Sequence, residues 1–451
     1  MLRAWADDLA MVIPEGSRRL AALQAFFDEF ALVSGLALNV PKTVLIPLDP
    51  LYLDAARAAL SQAAPGWAGA EVAAAAKYLG VYVGHGRKDS SWSAPLQKYL
   101  SRAELWGRLG VGLHLSLQSY RVYIASVLLF VGQFEALPAD WPDWERRACA
   151  ALLPGPRDWI HPGCLKELQE FHYPIALKDV ERTCIAAKAR VAKWEAHGAL
   201  RIRERARVLG ELSCSSADVS LARVAWLHEW RDRAFVLQIA RADSQVRDAR
   251  LALASTPEWW QKRANWQKRA VLLITPTPKT TALRHWRRRL DKWALQLPPG
   301  HRLARAQLAL ETIAAQCQPR VLAACIRLQL NGWCTSRRFQ GRGACRLGCG
   351  GCEDSIQHLA LCPVQRQLFG RFLQIAPVPG DQALEHFLLM GGGTSTEAGR
   401  ALIRKRALGI YALYRCHNHL RTGGLLTADL PGAFGEYLRE GRRGQATEEL
   451  G

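Results

Sequence analysis

The stretch CRLGCGGCEDSIQHLALC, residues 345 to 362, constrains this chain more than any other, because it crowds Cys345, Cys349, Cys352, His358 and Cys362 into eighteen residues. Thiolates and a neutral imidazole fill the shell of a tetrahedral zinc ion. Two short-spaced cysteines followed by a His and a further Cys make a closed, structural site, not a catalytic one. Gly348, Gly350 and Gly351 supply a flexible knuckle. Five candidates compete for four positions, and the residues alone leave open which cysteine is spare. Buried thiols without metal are the other reading, and it leaves the density of ligands on a polar, Gly-rich loop unexplained. The remaining cysteines of the 12 are spread thinly, as suits reduced thiols and not a disulfide framework.

Charge sets the partner class. Lys and Arg number 60 against 40 Asp and Glu, a formal net charge of +20. Such a balance favours a polyanion, and nucleic acid ahead of a membrane surface. The longest apolar run, residues 124–132, is far short of the roughly 20 residues that span a bilayer, and the N-terminus has no basic region followed by an apolar core. The chain reads as soluble, unsecreted and intracellular, nuclear or cytoplasmic, with no membrane partner. At 451 residues, 49% of them hydrophobic, it can bury substantial cores in roughly three domains.

Residues 1–90 read as α+β. Short apolar stretches, Leu2 to Ala6 and Leu9 to Ile13, flank Asp7 and Asp8, so a tight turn between two strands puts both carboxylates at its tip. That turn is either solvated, with water screening the like charges, or a site for a divalent metal. Ser17 caps a helix to about Val33, with Leu20, Leu23, Phe26, Phe27 and Phe30 on one apolar face and Gly35 as its stop. Pro41 and Lys42 lie in a connection before a strand over Val44 to Leu48, and an Ala-rich helix follows over 51–64. In KYLGVYVG (77–84) Tyr78, Val81 and Val83 have strand character, while Gly80 marks a turn or a close backbone approach.

Beyond Trp92 helical spacing takes over. Residues 91–140 form one helical segment, LPADWPDW (137–144) is a boundary, and 141–335 carry almost no strand signal. The knuckle region spans 336–375, and a tail over 376–451 holds a basic helix from about Thr396 to Arg421. His417 and His419, two apart on that helix, face different directions and make a poor second metal site. The most basic stretch is 262–305. There Lys262, Arg263, Lys268, Arg269, Lys279, Arg284, Arg287, Arg288, Arg289, Lys292, Arg302 and Arg305 face one acid, Asp291. Trp259, Trp260, Trp266, Trp286 and Trp293 are interleaved with them. Cations for phosphates beside rings that stack on bases suit single-stranded or hybrid nucleic acid. A solvated face over core tryptophans is the other reading.

Together these segments resemble a family. WADDLAMV (5–12) resembles the acidic hairpin of reverse transcriptases. SGLALNVPKT (34–43) and KYLGVYVG resemble the two segments that follow it in non-long-terminal-repeat (LINE-type) retrotransposon polymerases, in the same order and at similar spacing. The cysteine cluster, followed by Pro363, resembles the Cys-Cys-His-Cys knuckle near the C-terminus of the same polyproteins. The resemblance implies zinc on Cys345, Cys349, His358 and Cys362, with Cys352 spare. It also implies that Asp7 and Asp8 help hold two Mg2+ ions for nucleotidyl transfer and that Lys42 lies near the triphosphate. Tyr78, Leu79 and Gly80 would form the primer grip, and 91–140 thumb-like helices. RNA template and DNA primer or target DNA would be the partners.

Two departures bear on activity. The family's further metal-binding aspartate and its fingers precede the acidic hairpin, and this chain starts too late to contain them. Trp5 stands where a tyrosine or phenylalanine is usual. The expectation is therefore a partial palm, 1–90, followed by a mainly α-helical region with a small zinc knuckle, the C-terminal portion of an RNA-directed DNA polymerase that does not polymerise alone. The alternative is a non-catalytic, zinc-stabilised nucleic-acid-binding protein.

Overall fold

A computed structural model describes residues 2–5, 8–87, 90–156, 159–194, 235–251, 266–274, 280–341, 343–350 and 353–442, with Glu204 and Arg207. β1 (Leu2–Trp5) and β2 (Asp8–Met11) form an antiparallel hairpin in which Trp5 faces Asp8. The expected strand–turn–strand is present, with Asp8 as the first residue of β2 and not at the tip. Asp7 lies outside the described residues, and Asp8 is described in its backbone alone.

α1 (Gly16–Ser34) stops at Gly35, whose N–H returns to the Ala31 carbonyl. Its cap position is Glu15, and Ser17 falls inside the first turn. The apolar face is narrower than expected: Leu20 is buried with Leu23 and Phe27 packed beside it, while Phe26 and Phe30 are exposed. At 3.6 residues per turn those two sit about 80–120° around the helix from Leu20, off the stripe that meets its neighbour. β3 (Val44–Leu45), shorter than the expected Val44 to Leu48, pairs in parallel with β4 (Glu71–Val72), and α2 (Leu53–Ala63) lies between them in the chain. Parallel strands need such a crossover. β5 (Ala76–Tyr78) and β6 (Val81–Val83) form a second hairpin turned by Leu79 (φ 46°) and Gly80 (φ 90°). Two left-handed residues match the twist of the flanking strands. Any side chain at Gly80 would put its Cβ 2.9 Å from the Phe130 ring. Among the described residues these are three separate two-stranded sheets.

Every later described element is helical, apart from one bridge between Ala344 and Glu353. The helices are α3 (Ser90–Arg108), α4 (Gly112–Ser119), α5 (Ser126–Leu129), α6 (Trp141–Leu152), α7 (Pro162–Lys166), α8 (Val180–Trp194), α9 (Phe235–Leu251), α10 (Trp266–Leu273) and α11 (Thr280–Leu290). They continue as α12 (Pro299–Gln316), α13 (Pro319–Gln329), α14 (Ile356–Leu361), α15 (Pro363–Leu373), α16 (Gly380–Phe387), α17 (Glu397–Thr422) and α18 (Leu430–Arg442). α6, α12, α13 and α15 carry a proline in the first turn, where its missing N–H costs no hydrogen bond. Thr396 caps α17 by accepting from the Gly399 N–H, so the predicted tail helix begins where its sequence indicated. No described helix is long and apolar enough to cross a membrane.

By its contacts the chain divides into two compact units. The first comprises Met1–Lys98, Leu128–Ala139 and Val180–Thr275; the second comprises Tyr99–Val127, Asp140–Asp179 and Pro276–Gly451. The first unit has one core of Leu20, Leu60, Trp67 and Val72 under α1 and α2. A further core joins Ala186 and Ala189 of α8 to Val246 of α9 and Trp266 of α10, small residues letting the helices approach. In the second unit α17 packs against α12, α13, α15 and α18, burying Ile403, Ile410 and Leu413.

Candidate metal centre and basic face

The knuckle is built by local geometry. Ala344 pairs with Glu353 to close a loop, within which Gly348 and Gly350 take φ of 78° and 90°, values that disfavour any side chain. Ser355 then caps α14 by accepting from the His358 N–H at 3.1 Å. α14 presents His358 and, at its end, Cys362 four residues on, hence on the same side. The donor atoms of Cys345, Cys349, His358 and Cys362 all lie within 4.8 Å of one another. The sulfurs of Cys345 and Cys362 are 3.9 Å apart, and the Cys349 sulfur is 3.2 Å from His358 Nε2. A tetrahedral zinc with ordinary bond lengths separates its ligands by about 3.8 Å for two sulfurs and about 3.5 Å for sulfur and nitrogen. Donor set and spacing therefore fit a metal such as zinc. The hydrogen bond between the Cys345 and Cys362 sulfurs holds Cys362 below the ordinary thiol value against the opposing effect of burial, and raises Cys345. Backbone N–H groups opening α15 also favour the Cys362 thiolate, the form that binds metal. Cys352, the other candidate, lies outside the described residues.

Behind the knuckle stands a group that the sequence did not reveal. The Asp354 carboxylate is fully buried and accepts from the Ser336 N–H at 2.8 Å, the Ser336 hydroxyl at 3.1 Å and Arg346 Nε at 3.3 Å. Its other oxygen lies 2.9 Å from Nε2 of His417, itself fully buried on α17. Burial alone would raise the Asp354 pKa, but His417 and Ser336 hold it below the ordinary carboxylate value. His417 thus ties the knuckle to α17, whereas His419 meets the Tyr437 hydroxyl at 2.9 Å. The two do face apart, as their spacing indicated.

The polymerase-like residues sit on separate elements of the first unit. Lys42 is exposed at the end of a short turn, Val40–Lys42, held by the Asn39 side chain. Tyr78, Leu79 and Gly80 form the β5–β6 turn, and Leu79 is exposed. Neither a palm nor a magnesium site is assembled from them among the described residues.

The basic stretch is distributed over both units. Lys262, Arg263 and Lys279 lie outside the described residues. Lys268 is exposed and Arg269 half-buried on α10 of the first unit. α11 of the second carries Arg284, Arg287 and Arg288 exposed and Arg289 half-buried. Trp286 and Trp293, expected to stack on bases, are instead core residues at 0% and 6% exposure. Ala282, Trp286 and Leu290, four apart, make the buried stripe of α11, and the Trp286 ring lies 4.6 Å from that of Phe171. With its faces covered, a ring has no surface to offer a base. Arg302 is likewise committed inward, donating to the carbonyls of Leu290, the last residue of α11, and of Trp293, Leu295 and Leu297 beyond it.

Comparison of the chain with models of protein families, with characterised proteins and with solved structures finds no match.

Proposed function

We propose that this chain is a zinc-stabilised nucleic-acid-binding polypeptide of LINE-type reverse-transcriptase descent, and that the 451 residues bind RNA or DNA without polymerising it. The observation that carries this reading is the Cys3His cluster. The four residues implied by the retrotransposon knuckle, spread over eighteen positions, have ligand atoms within 4.8 Å of one another. The +20 charge and the exposed arginines of α11 supply the affinity for a polyanion. Two-metal transfer needs carboxylates on both sides of the ions, and the polymerase-like segments of the sequence offer Asp7 and Asp8 as one adjacent pair. Apart from the knuckle, no group of three or more metal-ligating side chains is found among the described residues.

The test combines metal analysis with binding. The purified chain should hold one zinc, lost in Cys345→Ser and Cys362→Ser but kept in Cys352→Ser. Anisotropy with labelled single-stranded RNA and DNA should show log affinity falling linearly with log salt, by roughly 0.7–0.9 per phosphate contacted. Absence of binding at low salt would overturn the nucleic-acid reading. Zinc kept by Cys345→Ser and released by Cys352→Ser would overturn the ligand assignment.

A further inference from the structure

The second unit contains a cavity of about 800 Å³ between α6, α7 and α11. Arg146 and Arg147 line it from α6, and Arg284, Arg288 and Arg289 from α11. No Asp or Glu is among the described residues that line it. On α11 the pairs Arg284 with Arg288 and His285 with Arg289 are each four apart, so they form adjacent stripes beside the buried one. The core fixes that helix: Trp286 packs on Phe171, and the Ala282 N–H donates to Glu167 at 2.9 Å. Opposite, the Arg147 guanidinium lies 4.9 Å from the Trp144 ring, and Arg146 pairs with Asp143 on the exposed surface.

Guanidinium groups do not lose their proton, so the concavity stays lined with cations across the ordinary pH range. Their planar forks match phosphate oxygens. Two histidines add different chemistry. His161 Nδ1 accepts from the Gly163 N–H at 3.0 Å, which leaves the ring proton on Nε2 as a donor. His285 is hydrogen-bonded to the Trp159 backbone, and its buried Nε2 has no partner among the described residues. Burial first, and then Arg289, lower the pKa of His285 and favour its neutral form, which can accept a hydrogen bond from a sugar hydroxyl or a base N–H. The volume far exceeds that of inorganic phosphate and falls within the roughly 300–1,000 Å³ of small-molecule sites.

Resting on the nucleic-acid reading above, we propose that this cavity is a nucleotide-phosphate pocket that takes the 5′-phosphorylated end of a strand. A terminal monoester carries nearly twice the charge of an internal diester, so an arginine-lined concavity prefers it.

The test uses the full chain and one short single-stranded oligonucleotide with either a 5′-phosphate or a 5′-hydroxyl. The phosphorylated strand should bind roughly tenfold or more tightly, as expected for charge-assisted hydrogen bonds gained at one site. Arg147→Ala and Arg288→Ala, exposed residues on opposite walls, should each shrink that preference. Arg287→Ala, on α11 but outside the cavity lining, should weaken both strands alike. ATP that abolishes the preference while the hydroxyl strand stays bound supports the pocket with free nucleotide as a competing source; a preference that persists supports the strand end alone. Equal affinity for the two strands, or an effect of Arg287→Ala on the preference as large as that of Arg288→Ala, overturns the pocket while the general reading stands. If neither strand binds at low salt, both fall.

Discussion

Asp354→Ala should be among the most damaging single substitutions in the second unit. The side chain is fully buried and accepts four hydrogen bonds, from the Ser336 N–H and hydroxyl, Arg346 and His417. Arg346 is 34% exposed and can turn to water, so its share is discounted. The Ser336 N–H and His417 Nε2 have no such recourse. Removing one partner of a buried, hydrogen-bonded pair costs about 3–5 kcal/mol, because the other is left unpaired in the interior. That corresponds to roughly two to three and a half orders of magnitude in the local opening equilibrium. Hydrogen exchange read by mass spectrometry on peptides covering α14 and α17, in zinc-loaded protein, measures it where it acts. Protection should fall in both peptides together, since His417 joins them. A joint Asp354→Leu and His417→Leu variant should recover part of the loss, as no buried charge remains. Protection changed by less than about 1 kcal/mol in Asp354→Ala would refute the reasoning, since buried hydrogen bonds to a charged group contribute more than that.

Trp286→Ala should destabilise the second unit by about 3–5 kcal/mol without altering the salt dependence of nucleic-acid binding by folded protein. Weaker binding at unchanged stability would instead make that ring a base platform. Glu440 gives a pH test: burial would raise its pKa, but the Tyr411 hydroxyl, Arg415 and Arg320 together hold it below the ordinary value. A depressed carboxylate contributes stability above its unfolded pKa of about 4.3 and loses it as pH falls through the folded value. Glu440→Gln should therefore cost about 1 kcal/mol at neutral pH, the ion pairs being partly exposed, and converge with the parent on acidification. A gap that stays constant down to pH 3, roughly a unit below that unfolded value, would show that charge is not what the contact uses.

Short-range features of this protein are written in its sequence. The two hairpins, the stop of α1 at Gly35 and the cap of α17 at Thr396 depend on residues a few positions apart, where turn and capping chemistry decides the backbone. The cluster that could hold a metal is legible for the same reason, since its four residues lie within eighteen positions and His358 and Cys362 have helical spacing. Periodicity gives a helix but not the partner that covers it, which is why Phe26 and Phe30 are exposed and Trp286 and Trp293 are core. The Asp354–His417 pair joins residues 63 positions apart, and the arginines of α6 and α11 share one cavity only because the unit folds them onto it. Like charges do not gather by their own interactions, so tertiary packing, with α11 anchored by Trp286 on Phe171, brings arginines from two distant stretches of sequence around one concavity.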